Sequence, residues 1–197
     1  MGKSVRKKAA KAGESLQQAD GAIARAVAPY RKSALVRAIE PLAKLGDQPP
    51  LRTLCGAVIA LGLIRGDRRL LRTGVRMFAA HSLATWAKNI VKHRIDRTRP
   101  RQAAAKGRDH RLSVGRKRAR AETSFPSGHS AGAAAVAGAF AREYPEYGVA
   151  AASGAGLVAL AQIPRSAHYP TDIGAGLAIG IAAEWVTDAV FPVPDRA

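Results

Sequence analysis

The chain has 197 residues, a formal net charge of +18 and a sequence pI near 11.2, which suits one domain with a sizeable core and directs attention to anionic partners. Phosphate esters, acidic lipid head groups and nucleic acid all satisfy that charge. The single cysteine, Cys55, excludes an intrachain disulfide and any cysteine-based zinc cluster, and its place in an apolar run reads as core.

Apolar residues make up 47%, much of it alanine, and aromatics only 5%, which favours helices packed through small side chains over a valine- and aromatic-rich sheet. Residues 1–14 carry Lys3, Arg6, Lys7, Lys8 and Lys11 and read as a flexible basic arm. The polar A-G-E-S-L-Q-Q-A-D that follows is not the apolar core of a secretory signal. Over 15–49, Ile23, Val27, Leu35, Ile39, Leu42 and Leu45 alternate with basic residues, predicting two amphipathic helices broken near Pro29 and a G-D-Q-P-P turn. Their apolar face belongs on a bundle or in a lipid interface.

Five apolar runs follow, at about 53–64, 74–91, 128–141, 147–163 and 173–191, none with strand alternation. They predict an all-α helical bundle of five core helices over 50–197. Tyr147 to Pro164 carries no charge, and a membrane-embedded bundle is the reading adopted, although several runs fall short of the about 20 apolar residues of a full span. The mean hydropathy, -0.10, is low for such a protein. The link at 93–122 is inserted between the second and third runs; from Lys92 to Arg120 it has twelve Lys or Arg against Asp96 and Asp109. Its middle, 102–120, reads as a solvated basic loop, and without an aromatic platform for bases no nucleic-acid partner is expected.

Three clusters carry the chemistry. K-H-R-I-D-R-T-R-P ends the second run, and a helical course would put Lys92 and Arg99, seven residues apart, on one face. T-S-F-P-S-G-H-S opens the third run; with Pro126 at a first helical position, Ser127 and Gly128 leave backbone N–H groups open to an anion beside His129. Q-I-P-R-S-A-H-Y-P-T-D joins the last two runs, and Pro170 starts a helix whose first turn places Asp172 to accept from one ring nitrogen of His168, leaving the other to attack. In an up-and-down bundle the three clusters fall on one face.

In that order the clusters resemble the type 2 phosphatidic acid phosphatase superfamily, which also takes in bacterial acid phosphatases and vanadium haloperoxidases. Its signature is Lys, six residues, Arg-Pro; then Pro-Ser-Gly-His; then Ser-Arg, five residues, His, three residues, Asp. Lys92 with Arg99-Pro100, Pro126-Ser127-Gly128-His129, and His168 with Asp172 match, over roughly residues 50–190. The departure is Ala161-Gln162 in place of Ser-Arg, with Arg165 one turn later as a shifted substitute.

The resemblance implies a metal-independent phosphatase, without a cofactor, acting on a phosphorylated lipid such as phosphatidate, a phosphatidylglycerol phosphate or a polyprenyl diphosphate. His168 would be the nucleophile, Asp172 its orienting carboxylate and His129 the acid and base. Lys92, Arg99, Ser127, Gly128 and Arg165 would hold the phosphate. It also implies a multi-pass protein of the cell membrane. A soluble acid phosphatase or vanadate-dependent haloperoxidase, and a non-enzymatic binder of anionic lipid or nucleic acid, are the alternative readings; oligomeric state is left open.

Overall fold

A computed structural model describes residues 3–106, 111–115, 119 and 121–194. Among these, eight α-helices dominate: α1 (Lys3–Val27), α2 (Ala34–Leu45), α3 (Gln48–Arg65), α4 (Arg68–Lys92), α5 (Pro100–Lys106), α6 (Gly128–Glu143), α7 (Gly148–Leu160) and α8 (Pro170–Val190). The one sheet among the described residues is an antiparallel pair of two-residue strands, β1 (Ile95–Asp96) and β2 (Ser113–Val114).

Helix boundaries follow local chemistry. Ser33 caps α2 by accepting from Val36 N at 3.3 Å, and Asp67 caps α4 by accepting from Leu70 N at 2.9 Å. Between α3 and α4 the chain turns at Gly66 with φ 64°, a conformation glycine adopts without Cβ strain. Pro170 opens α8 at a first-turn position that needs no N–H. Ahead of α6 the cap is Ser127, which accepts from Ser130 N, so Pro126 precedes the cap instead of taking the first helical position.

Two further expectations change. The basic segment expected as a flexible arm is helical from Lys3 and continuous with the rest of α1, as its run of strong helix formers permits. The break near Pro29 is a short 3-10 helix, Ala28–Lys32. Lys92 and Arg99 do not share a helix face: α4 ends at Lys92, and the chain then runs extended. Arg97 N donates to Glu122 O and Arg99 N to Ala121 O, both at 2.9 Å. Of the stretch expected to be solvated, 102–106 is helical and 113–114 pairs with 95–96; 107–110, 116–118 and 120 lie outside the described residues.

The core is built from small side chains. α6 is central, packed on α4, α7 and α8, while α3 packs on α4. Leu51, Cys55, Met77, Ala80, Ala84, Ala131, Ala135, Val136, Ala139 and Ala183 form one buried cluster. The contact between α6 and α8 is close because α8 presents glycine: a Cβ at Gly176 would overlap Ser127 O and lie 3.0 Å from Ser130 Cβ. This contact sets the P-S-G-H turn against the start of α8, where Ser127 N donates to Asp172 O at 2.9 Å. Gly176→Ala is therefore expected to destabilise by about 1–3 kcal/mol. Gly174→Ala, where a Cβ meets nothing within 4 Å, is expected to be neutral or slightly stabilising. Thermal unfolding of both variants in detergent checks the pair; equal shifts would contradict the packing account.

Candidate active site

The C-terminal end of α4, the starts of α3 and α6 and the end of the 161–169 loop converge on a pocket of about 350 Å³. His129 and His168 line it with ring centroids 5.9 Å apart at an interplanar angle of 66°. Lys92, Arg99 and Gly128 line it as well, so chemical groups spread over the length of the sequence meet in one volume. Lys92 Nζ donates to Thr123 O at 3.0 Å and Arg99 Nη1 to Ala167 O at 3.3 Å, which fixes both cations against the loops that carry the histidines. Gly128 is the first residue of α6, where a backbone N–H has no intrahelical acceptor.

His168 is 2% exposed, and its Nδ1 stands 3.5 Å from Asp172 Oδ2, longer than a good hydrogen bond but on the line that orients the ring. That leaves Nε2 as the ring nitrogen for the pocket. Asp172 is held from three other sides: Arg97 Nη1 donates to Oδ1 at 2.6 Å, Tyr169 N donates to Oδ2 at 2.9 Å, and Ser124 Oγ makes a short bond to Oδ2. Arg97 in turn is fixed by Asp20 of α1, whose Oδ2 accepts from Nη2 at 2.7 Å, and its guanidinium lies 4.0 Å over the Tyr169 ring. Asp20 also accepts from Thr171 N at 3.1 Å. A buried chain of alternating charge, Asp20, Arg97, Asp172, thus runs from the N-terminal helix to the imidazole of His168.

Across the pocket, His129 Nε2 is 2.9 Å from Asp47 Oδ1. Asp47 precedes α3 and makes no side-chain cap bond, so its carboxylate serves the imidazole instead of the helix. Two of the residues expected on the phosphate sit elsewhere. Ser127 is fully buried, with Oγ taken up by Ser130 Oγ at 2.9 Å and Ser130 N at 3.3 Å. Arg165 lines an adjoining cleft, donating to Gln162 Oε1 at 3.0 Å, and its charge still reaches the His129 ring. Gln162 itself is buried and ties α2 to α7, with Nε2 donating to Ala43 O at 3.3 Å and Val158 O at 2.9 Å. A third cation does reach the pocket: Lys88, one helical turn before Lys92. That spacing of four was visible in the sequence; the long-range partners Asp20 and Asp47 left no local signal there.

Burial pushes the His168 imidazole down to about 4, with the Asp172 carboxylate opposing and Arg99 reinforcing the shift. An imidazole that stays neutral when folded but takes a proton near 6.5 when unfolded draws protons to the unfolded chain, so stability falls as pH drops from 6.5 towards 4. Thermal unfolding across that window is expected to show a steeper loss in the native protein than in His168→Gln. Parallel curves would contradict the burial account.

Residues 73–193 match the PAP2 superfamily. The chain belongs to that superfamily. Within it, the chain is 43% identical over 68 residues to lipid A 1-phosphatase of Rhizobium johnstonii, 34% of this chain and 28% of that protein. It is 35% identical over 82 residues to lipid A 1-phosphatase of Porphyromonas gingivalis, 38% of this chain and 18% of that one. The matched segments thus span under a third of those PAP2 relatives. The fold is similar, at TM-score 0.63 and 20% identity, to the crystal structure of a transmembrane PAP2 type phosphatidylglycerolphosphate phosphatase from Bacillus subtilis, over 92% of this chain and 89% of that one.

Proposed function

We propose that the protein is a metal-independent phosphatase that hydrolyses a lipid phosphate through a phosphohistidine on His168. The observation that carries this reading is the pair of imidazoles 5.9 Å apart across a pocket lined by Lys88, Lys92 and Arg99. His168 Nε2 attacks phosphorus while the ester P–O bond breaks, and His129 delivers a proton to the departing oxygen. Water then attacks the phosphohistidine, His129 takes its proton, the P–N bond breaks, and neutral His168 returns. Negative charge on the equatorial oxygens grows in both transition states, and the three cations with the Gly128 N–H are fixed where it develops. Asp172 orients His168 and stabilises the charge the ring acquires. Asp47 does the same for His129.

The lipid half of the proposal rests on the outer surface. α8 is the one described helix long and apolar enough to cross a bilayer, with a mean hydropathy of 1.4. Its own exposed face and those of α3, α4 and α7 are also apolar: Leu63, Ile64, Phe78, Trp86, Val149, Leu157, Trp185 and Val190 are all more than two-fifths exposed. So broad an apolar exterior suits a multi-pass protein of the cell membrane, with α1 and α2 at the head-group level. The names of the PAP2 relatives add phosphorylated lipid A to the candidate substrates.

The test is phosphate release from detergent-solubilised phosphatidate, phosphatidylglycerol phosphate, polyprenyl diphosphate and lipid A, with chelator present throughout. Release from at least one, unchanged by chelator, is expected. No release from any, or release only when magnesium is restored, would sink the proposal.

A further inference from the structure

We propose that a second, non-hydrolytic anion site lies beside the catalytic pocket and takes a phosphate group of the lipid substrate several bonds away from the one that is cleaved. The site is a cleft of about 170 Å³ lined by four arginines: Arg31 from the 3-10 helix, Arg37 from α2, Arg101 from α5 and Arg165 from the 161–169 loop. The inference rests on the phosphatase reading above and narrows its substrate.

Charge bookkeeping leaves the cleft strongly positive. Its only carboxylate is Glu40, already engaged by Lys44 Nζ at 3.2 Å and by Arg165 Nη2 at 3.7 Å. Among the described residues, no carboxylate pairs with Arg31, Arg37 or Arg101. Like charges drawn from four separate segments repel one another unless an anion sits between them, and guanidinium forks match the oxygens of a phosphate. At about 30 Å³ for each water the cleft has room for such a group with part of its hydration.

Position ties the cleft to the reaction. Arg165 and Ala167 line it, and the next residue, His168, lines the catalytic pocket, so a single turn of backbone is the wall between the two. The same wall is braced from both sides: Arg99, on the catalytic side, donates to Ala167 O at 3.3 Å, and Arg101 N, on the cleft side, donates to Ser166 O at 3.1 Å. A lipid whose scissile phosphate meets His168 can reach the cleft only with an anion carried several bonds further along its head group. The two phosphorus atoms of a diphosphate, joined through one oxygen, are too close together to occupy both sites. This also gives the displaced arginine of the third motif a place: Arg165 faces the second anion.

The experiment compares phosphatidate, which has one phosphate, with phosphatidylglycerol phosphate, which has a terminal monoester and a diester beyond it, in the same neutral detergent micelles. In the Arg31→Ala/Arg37→Ala variant, KM for the two-phosphate lipid is expected to rise about tenfold with kcat held within about twofold, and both constants for phosphatidate to stay unchanged, since only uniform binding is removed. Glu40→Gln, which deletes the one opposing charge, is expected to lower KM for the two-phosphate lipid alone and keeps the test open if the double variant folds poorly. An equal change for both lipids, the result expected of a cleft that attracts any anionic lipid, or no change for either, overturns the proposal. If the native protein hydrolyses neither lipid, the phosphatase reading is decided separately, by phosphate release from polyprenyl diphosphate and lipid A. The dissociation constants of the two lipids then decide the second site, with selective weakening for phosphatidylglycerol phosphate expected in the double variant and uniform or absent weakening overturning it.

Discussion

Replacing His168 by alanine is expected to lower kcat for lipid phosphate hydrolysis by about four orders of magnitude or more, the scale on which loss of a nucleophile acts when the surrounding charges remain. The pocket keeps Lys88, Lys92 and Arg99 in the variant, so lipid binding should persist and KM should change little. His129→Ala should behave differently. Its proton matters most for a poor leaving group such as a lipid alkoxide, so turnover of an aryl phosphate, whose phenolate departs unaided, should survive in part. Measuring both variants on a lipid phosphate and an aryl phosphate separates the two roles. Equal losses for the two substrates in His129→Ala would argue against its acting on the leaving group.

The largest effect on stability is expected from Arg97→Ala. Arg97 is 1% exposed and stands between two carboxylates that are also buried, Asp20 at 1% and Asp172 at 0%. Removing it strands both without a counter-charge, and loss of one partner from a buried ion pair costs about 3–5 kcal/mol. Activity should fall as well, because Asp172 loses the donor that fixes Oδ1 and with it the orientation of His168. A double-mutant cycle on Asp20→Asn and Arg97→Ala, followed by denaturant unfolding, is expected to show coupling of about 0.5–3 kcal/mol. Strict additivity would mean that α1 takes no part in holding the site. Because Asp20 lies outside residues 73–193, the cycle also asks whether the N-terminal helix is an accessory or a working part of the PAP2 region.

The contrast between Lys88 and Asp20 shows what the sequence made legible. Five apolar runs bounded by Pro, Gly and charge located the five core helices, because helix length and small-residue packing are local properties. The three clusters pointed to one face because a bundle's connectivity puts alternate helix ends together. Lys88 was within reach of the same logic, one turn before Lys92. Asp20, Asp47 and Arg97 were not: each acts through a partner more than seventy residues away, and a carboxylate on a charged amphipathic helix looks the same whether it meets solvent or a buried guanidinium. The basic segment before Ser15 failed as an arm for a related reason. Its composition is equally that of a helix and of a solvated tail, and the anchoring of α1 through Asp20 to Thr171 and Arg97 is a tertiary fact. Gln162 and Arg165 were likewise beyond local reading: the first is buried against α2 and α7, and the second lines the neighbouring cleft.

The stereochemical outcome at phosphorus, read with a thiophosphate monoester made chiral by two oxygen isotopes and hydrolysed in water carrying the third, tests most directly whether phosphorus visits His168. Two successive in-line displacements predict net retention of configuration. Net inversion would mean that water attacks the ester in a single step, and His168 would then have no place as a nucleophile.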